Sequence, residues 1–158
     1  MKALLIYPEF PDTFWSFKHA LKFVDKKAAI PPLGLLTVAA MLPKHWEKRL
    51  IDMNVTKLKT ADLKWADYAF FSGMVVQKKS ALNAISACKN AGLRVVAGGP
   101  LFSGTVTDFP EVDHFILGEA ENNLPIFLND LAAGKTRRIY EPGEFPEINK
   151  TPVPLWDL

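Results

Sequence analysis

Apolar residues cluster along this chain in short runs of four or five. The runs are Ala3–Tyr7, Arg49–Met53, Tyr68–Ser72, Arg94–Ala97 and His114–Leu117. They are rich in Val, Ile, Leu or Phe and do not alternate with polar residues, so they predict strands buried on both faces. Between them, apolar positions recur at helical spacing. Leu33, Leu36, Thr37, Ala40 and Met41 fall at i, i+3, i+4, i+7 and i+8, behind Pro31-Pro32. Ala81, Ile85 and Cys88 form a second stripe, with Ser80 as its candidate N-cap and Gly92 as its stop. Leu124, Phe127, Leu128 and Leu131 form a third, ended by Gly134. Each pattern predicts an amphipathic helix with ordinary end signals. Residues 54–66 leave room for a short helix at Ala61–Trp65, and residues 100–112 for a loop or a single turn.

Strands and helices thus alternate, which implies a parallel sheet joined by right-handed crossovers. The predicted class is α/β: a flavodoxin-like (Rossmann-like), doubly wound, five-stranded parallel sheet of order 2-1-3-4-5 with helices on both faces. Residues 1–140 would form one domain, with a long loop insertion at 8–31. An insertion of that length in a small domain is usually functional. Its aromatic residues Phe10, Phe14, Trp15 and Phe17 could pack as a satellite core, cover a ligand or meet another domain. Residues 141–158 are rich in proline and read as a linker toward a further domain.

Composition narrows the class. The chain has 158 residues, enough for one domain with a real core, and a net charge of +2. Its basic residues are scattered, so nucleic acid is not an expected partner. The single cysteine, Cys88, sits on a helix stripe as expected of a core residue. One cysteine cannot build a disulfide, a cysteine-rich zinc site or an iron–sulfur cluster within the chain. No uncharged run is long enough for a transmembrane helix, and the apolar segment at the N-terminus is too short for a signal peptide. The expected location is the cytoplasm.

In open α/β sheets a ligand sits beyond the carboxyl ends of the strands, near the switch point. The residues that follow the five runs are therefore the candidates. They are Tyr7-Pro8-Glu9, Asp52-Met53-Asn54, Ser72-Gly73-Met74, Gly98-Gly99-Pro100 and Gly118-Glu119. The first turn has no glycine, which excludes a dinucleotide fingerprint and a P-loop. It also lacks the hydroxyl-rich phosphate loop of a flavodoxin. Ser72 and Gly118 stand where a phospho-receiver needs an aspartate and a lysine. Asp52-x-Asn54 by itself can be an Asx turn. His19, His45 and His114 are isolated, and His19 is the one placed in the long loop.

Asp52-x-Asn54, Ser72-x-Met74 and Gly98-Gly99 in that order resemble the cobalamin (B12)-binding domain, whose pattern is Asp-x-His-x-x-Gly, Ser-x-Leu and Gly-Gly. "IPPLGLLTVAAMLP", "FFSGMVVQ", "VVAGGPLF" and "LGEAE" are similar to the cobalamin domain of radical S-adenosylmethionine (SAM) methyltransferases, and in particular to the hopanoid-methylase-like subgroup. The resemblance implies cofactor contacts from Tyr7, Pro8, Asp52, Asn54, Val55, Ser72, Gly73, Met74, Val75, Gly98, Gly99, Pro100, Gly118 and Glu119. It implies no catalytic residue and no metal ligand in this chain. Asn54 stands where the pattern has its cobalt-binding histidine, so cobalt would lack a histidine ligand from below. A [4Fe–4S] cluster and SAM would belong to a covalently linked radical SAM domain, because the Cys-x₃-Cys-x₂-Cys motif is absent here. A lipid substrate for the parent enzyme is also implied. Alone, this chain would bind cofactor without catalysing the reaction. A corrinoid carrier and a cofactor-free docking module are the alternatives.

Overall fold

Lys2–Tyr7 forms strand β1, and its side chains divide strictly between two cores. Leu4 and Ile6 enter one; Ala3, Leu5 and Tyr7 enter the other. The same alternation holds in β3 (Tyr68–Ser72), where Ala69 and Phe71 oppose Tyr68 and Phe70. It recurs in β4 (Arg94–Gly98), where Val95 and Ala97 oppose Val96. Such strands need cover on both sides. Helix α3 (Lys78–Asn90) covers one face with Ala81, Ala84, Ile85 and Cys88. Helices α1 (Leu33–Met41) and α4 (Ala120–Ala132) cover the other through Leu35, Ala39, Leu124 and Phe127. A short helix α2, Thr60–Trp65, follows β2 (Glu47–Asp52). The computed structural model describes the chain apart from residues 14–20, 22, 24, 26–27, 29, 142–144, 148 and 150.

All strand pairs are parallel, and the order is β2-β1-β3-β4-β5-β6. Strand β5 is His114–Ile116. The doubly wound fold and the order of its first five strands agree with the pattern in the sequence. The strand count does not: a sixth strand, β6 (Ile139–Tyr140), extends the sheet beside β5. Its two residues are too few to show a period. Tyr140 is nonetheless buried, and its hydroxyl accepts from the Arg137 N–H at 2.9 Å and donates to Asp130 at 3.1 Å.

Two local readings change as well. Strand β2 is not buried on both faces; it is the sheet edge, and Glu47 and Arg49 are exposed. Charged residues on an edge discourage pairing with other chains. Ser80 is not an N-cap, because α3 already begins at Lys78. Its hydroxyl instead accepts a hydrogen bond from the Glu9 N–H at 2.9 Å. In the C-terminal stretch, two described residues touch the helices. The Leu155 N–H donates to the Leu36 carbonyl at 3.1 Å, and the Thr151 hydroxyl donates to Glu121 at 2.9 Å. Leu155 also packs against the α1–α4 core.

Cys88 is fully buried, as its helical stripe suggests. Burial pushes its thiol from 9.0 up to about 12. In the unfolded chain the proton leaves first, so this group's contribution to stability is complete below pH 9 and lost as pH rises toward 12. The expected slope is about 1.4 kcal/mol per pH unit within that window. Urea unfolding of the protein and of Cys88→Ala, at about pH 8 and about pH 10.5, checks it. The stability difference between the two should shrink or reverse at the higher pH.

Candidate functional site

The carboxyl ends of β3, β4 and β5 open onto a slot of about 310 Å³. Small-molecule sites commonly start near about 300 Å³. Ser72, Gly98 and Gly99 form its sheet side. Leu33, Gly34, Thr37 and Val38 of α1 face them, and Glu119, Ala120, Glu121 and Leu124 close the α4 side. A second cavity of about 220 Å³ adjoins it, lined by Tyr7, Pro31, Pro32, Gly73 and Met74. Leu33, Gly34, Leu35, Ser72 and Pro100 line both, so the two form one crevice at the β1–β3 switch point. No lysine, arginine or histidine lines either cavity among the described residues.

Three glycines in the crevice have different physical reasons. A Cβ on Gly98 would lie 2.5 Å from the Ile116 carbonyl oxygen, so the β4–β5 approach itself demands glycine. Gly99 has φ +85°, and a Cβ there would meet the Ser72 Oγ at 2.5 Å. The Gly-Gly pair thus satisfies the protein's own packing before any ligand is considered. Gly34 is under no such pressure. Its Cβ would meet only the Ser72 Oγ, at 4.0 Å, and would otherwise project into open crevice. The Ser72 hydroxyl makes no hydrogen bond among the described residues, although it stands at the boundary of both cavities.

Asp52 and Asn54 line neither cavity. Asp52 accepts from the backbone N–H of Asn54 at 2.9 Å and from its Nδ2 at 2.8 Å, which makes an Asx turn. The Asn54 Nδ2 also donates to the Pro8 carbonyl at 3.2 Å, and its Oδ1 accepts from the Phe10 N–H at 2.8 Å. Both ends of the amide are therefore engaged in holding the start of the 8–31 loop. Phe10 sits edge-on to Tyr7, with ring centroids 5.8 Å apart. Burial foremost, and then the charge of Asp52, holds the Tyr7 phenol above its ordinary range, against a lowering hydrogen bond with Gln77.

Of the residues singled out in the sequence, Ser72, Gly98, Gly99, Pro100, Gly118 and Glu119 meet at the slot. Tyr7, Gly73 and Met74 meet at the adjoining cavity. Pro8 is buried behind Gly73. Val55 and Val75 are exposed and line neither cavity. Phe14, Trp15, Phe17 and His19 lie outside the described residues. His114 is a satisfied core residue, its Nδ1 2.7 Å from the Arg137 carbonyl. The α1 wall was missed, and its signal was the glycine inside the apolar run "PPLGLL". Asn123 was missed too. Its side chain donates to the Leu117 carbonyl at 2.8 Å and holds the turn at Gly118-Glu119. No group of His, Cys, Asp and Glu among the described residues could hold a metal ion. None of their helices is long and apolar enough to cross a membrane.

Two curated proteins resemble the chain over essentially its whole length. It is 43% identical to an uncharacterized methyltransferase, sll1242, of Synechocystis sp., and spans 30% of that protein. It is 28% identical to the hopanoid C-2 methylase of Rhodopseudomonas palustris, and spans 31% of it. The resemblance to hopanoid-methylase-like proteins drawn from the motifs is thereby borne out. The chain corresponds to less than a third of the length of these relatives. No protein-family model and no solved structure matches it.

A methyl group would act with opposite sign at Gly98 and at Gly34. Gly98→Ala should destabilise the protein by about 1–3 kcal/mol, since the obstacle is backbone. Gly34→Ala should leave stability unchanged or raise it by about 0.5–1 kcal/mol, as expected for a helical glycine with room for a methyl group. Urea midpoints at constant m-value check both.

Proposed function

We propose that this chain, related end to end to one segment of a methyltransferase and of a hopanoid methylase, is a cobalamin-binding module that serves a linked radical SAM methyltransferase domain. The observation that supports this most is the crevice at the β1–β3 switch point. It divides into a slot and a neighbouring cavity, with the unengaged Ser72 hydroxyl between them. Cobalamin has a corrin ring and a nucleotide tail that ends in a flat dimethylbenzimidazole base. The residues present suit that tail. Ser72 offers a hydrogen bond to a ring nitrogen, and Leu33, Val38 and Leu124 offer apolar walls. Gly34 leaves the space that a side chain would fill. The lack of a lining cation favours a neutral base over a phosphate in the slot.

When bound, cobalamin would supply methyl transfer from cobalt. This chain's own residues would bind and orient it. Met74, half exposed at the β3 end, gives a flexible apolar contact. Glu119 and Gly118 would edge the slot. Asn54 would not ligate cobalt, because its amide already holds Pro8, Phe10 and Asp52. The linked domain would carry the [4Fe–4S] cluster and SAM, and a lipid would be the parent's substrate. The module would work in the cytoplasm.

Incubation with hydroxocobalamin, desalting and an absorbance spectrum test the reading. Retained corrinoid is expected. Its absence, both in this chain and in a chain extended through the linked domain, would defeat the proposal. Gly34→Leu should weaken retention at least about tenfold while the melting temperature holds, because it fills the slot and not the core. Ser72→Ala should weaken it by roughly five- to tenfold, the worth of one net hydrogen bond of about 1 kcal/mol. Electron paramagnetic resonance of the Co(II) form should show no nitrogen splitting from a protein ligand.

A further inference from the structure

The switch point contains a buried polar side chain to which the resemblance assigns no cofactor contact. Gln77 ends the 3₁₀ turn Val75–Gln77 and is only 1% exposed. Such a group must find partners or destabilise the fold. Its Nε2 donates to the Pro8 carbonyl, and its Oε1 accepts from the Met74 N–H at 2.6 Å. One amide therefore joins the loop after β1 to the loop after β3. These two loops border the same 220 Å³ cavity, through Tyr7 on one side and Gly73 and Met74 on the other. Gly73 fits because a Cβ there would press on the Gln77 Oε1 at 3.1 Å.

We infer that Gln77 is a positioning residue for the ligand: it sets the separation of the β1 and β3 loops at the mouth of the crevice. The inference rests on the corrinoid reading above, and deepens it. The Pro8 carbonyl receives two amide donors, Asn54 from the β2 end and Gln77 from the β3 side. Asn54 alone would leave Pro8 tied to the sheet edge. Gln77 draws it toward the centre, where it meets Gly73: a Gly73 Cβ would be 3.6 Å from the Pro8 Cδ. Both ends of the Gln77 amide are thus engaged by backbone groups of the two loops.

Two variants test this. Gln77→Met keeps the volume and removes both polar partners. Gln77→Glu keeps the shape. When ionised, the carboxylate has no proton for Pro8; when protonated, it can donate again. Burial should raise its pKa. Among the described residues, Tyr7 neighbours this position and itself feels the charge of Asp52, while Lys78, next in the chain, is paired to Asp108 at 2.7 Å. Corrinoid affinity is measured well below the melting temperature of every variant. Gln77→Met is expected to lose roughly tenfold or more at all pH values. Gln77→Glu is expected to lose as much at about pH 8 and to recover at least half of the loss, on a logarithmic scale, near pH 5.5. Folded variants that bind as tightly as the original chain would overturn the inference and leave the corrinoid reading intact. If neither the original chain nor one extended through the linked domain retains corrinoid, that reading fails, and amide exchange decides the inference instead. The Met74 and Phe10 amides should then exchange faster in Gln77→Met while those of β4 stay protected. Unchanged exchange at Met74 would overturn it.

Discussion

The central strands of this sheet have no exposed face, and the rest of the architecture follows from that constraint. Residues Ala3 to Ile6 are fully buried, and Phe70 and Val96 nearly so. A strand apolar on both sides must be sandwiched, and parallel strands joined by helical crossovers supply the two layers. α3 takes one face, and α1 with α4 takes the other. Because the strands are parallel, their carboxyl ends, with the polar loop residues that follow them, collect on one edge. The crevice is the gap left there, where crossovers leave β1 and β3 in opposite directions.

What shapes the crevice is mostly the protein's own packing. Gly98 is small because β5 passes close by, and Gly99 because its backbone turns left-handed against Ser72. Gly34 is the exception, since the space beside it serves no packing need. The loop after β1 would otherwise be free to wander. It is held by three side chains from three different places: Asn54, Gln77 and Ser80. These polar bonds in a partly buried setting fix direction more than they add stability. The C-terminal stretch adds a further tie, joining α1 through Leu155 and α4 through Thr151 beside the slot.

The relatives fit this division of labour. A methyltransferase and a hopanoid methylase each contain a segment matching this chain, together with more than twice as much sequence besides.

The sequence by itself determined the layers, the strand order through β5 and the strand ends that meet at the crevice. Those depend on periodicity, which is a local property: the uniform runs at Tyr68–Ser72 and Arg94–Ala97, and the stripe at Ala81, Ile85 and Cys88, can be read without knowing their neighbours. Ser72 and Gly98-Gly99 were legible for the same reason, since the site of an open sheet lies just past its strands. Tertiary structure alone decided the rest. β6 is too short to carry a period and exists because Tyr140 finds a buried place beside β5. Asn54 stands where the resembling pattern has a histidine, and nothing local shows that its amide holds a loop 46 positions away in sequence. Gln77 was one polar residue after two valines, with nothing local to say that its partner would be Pro8, 69 positions earlier. Hydrogen bonds across such separations leave no pattern in the chain, because their geometry is set only when the strands that bear them are laid side by side.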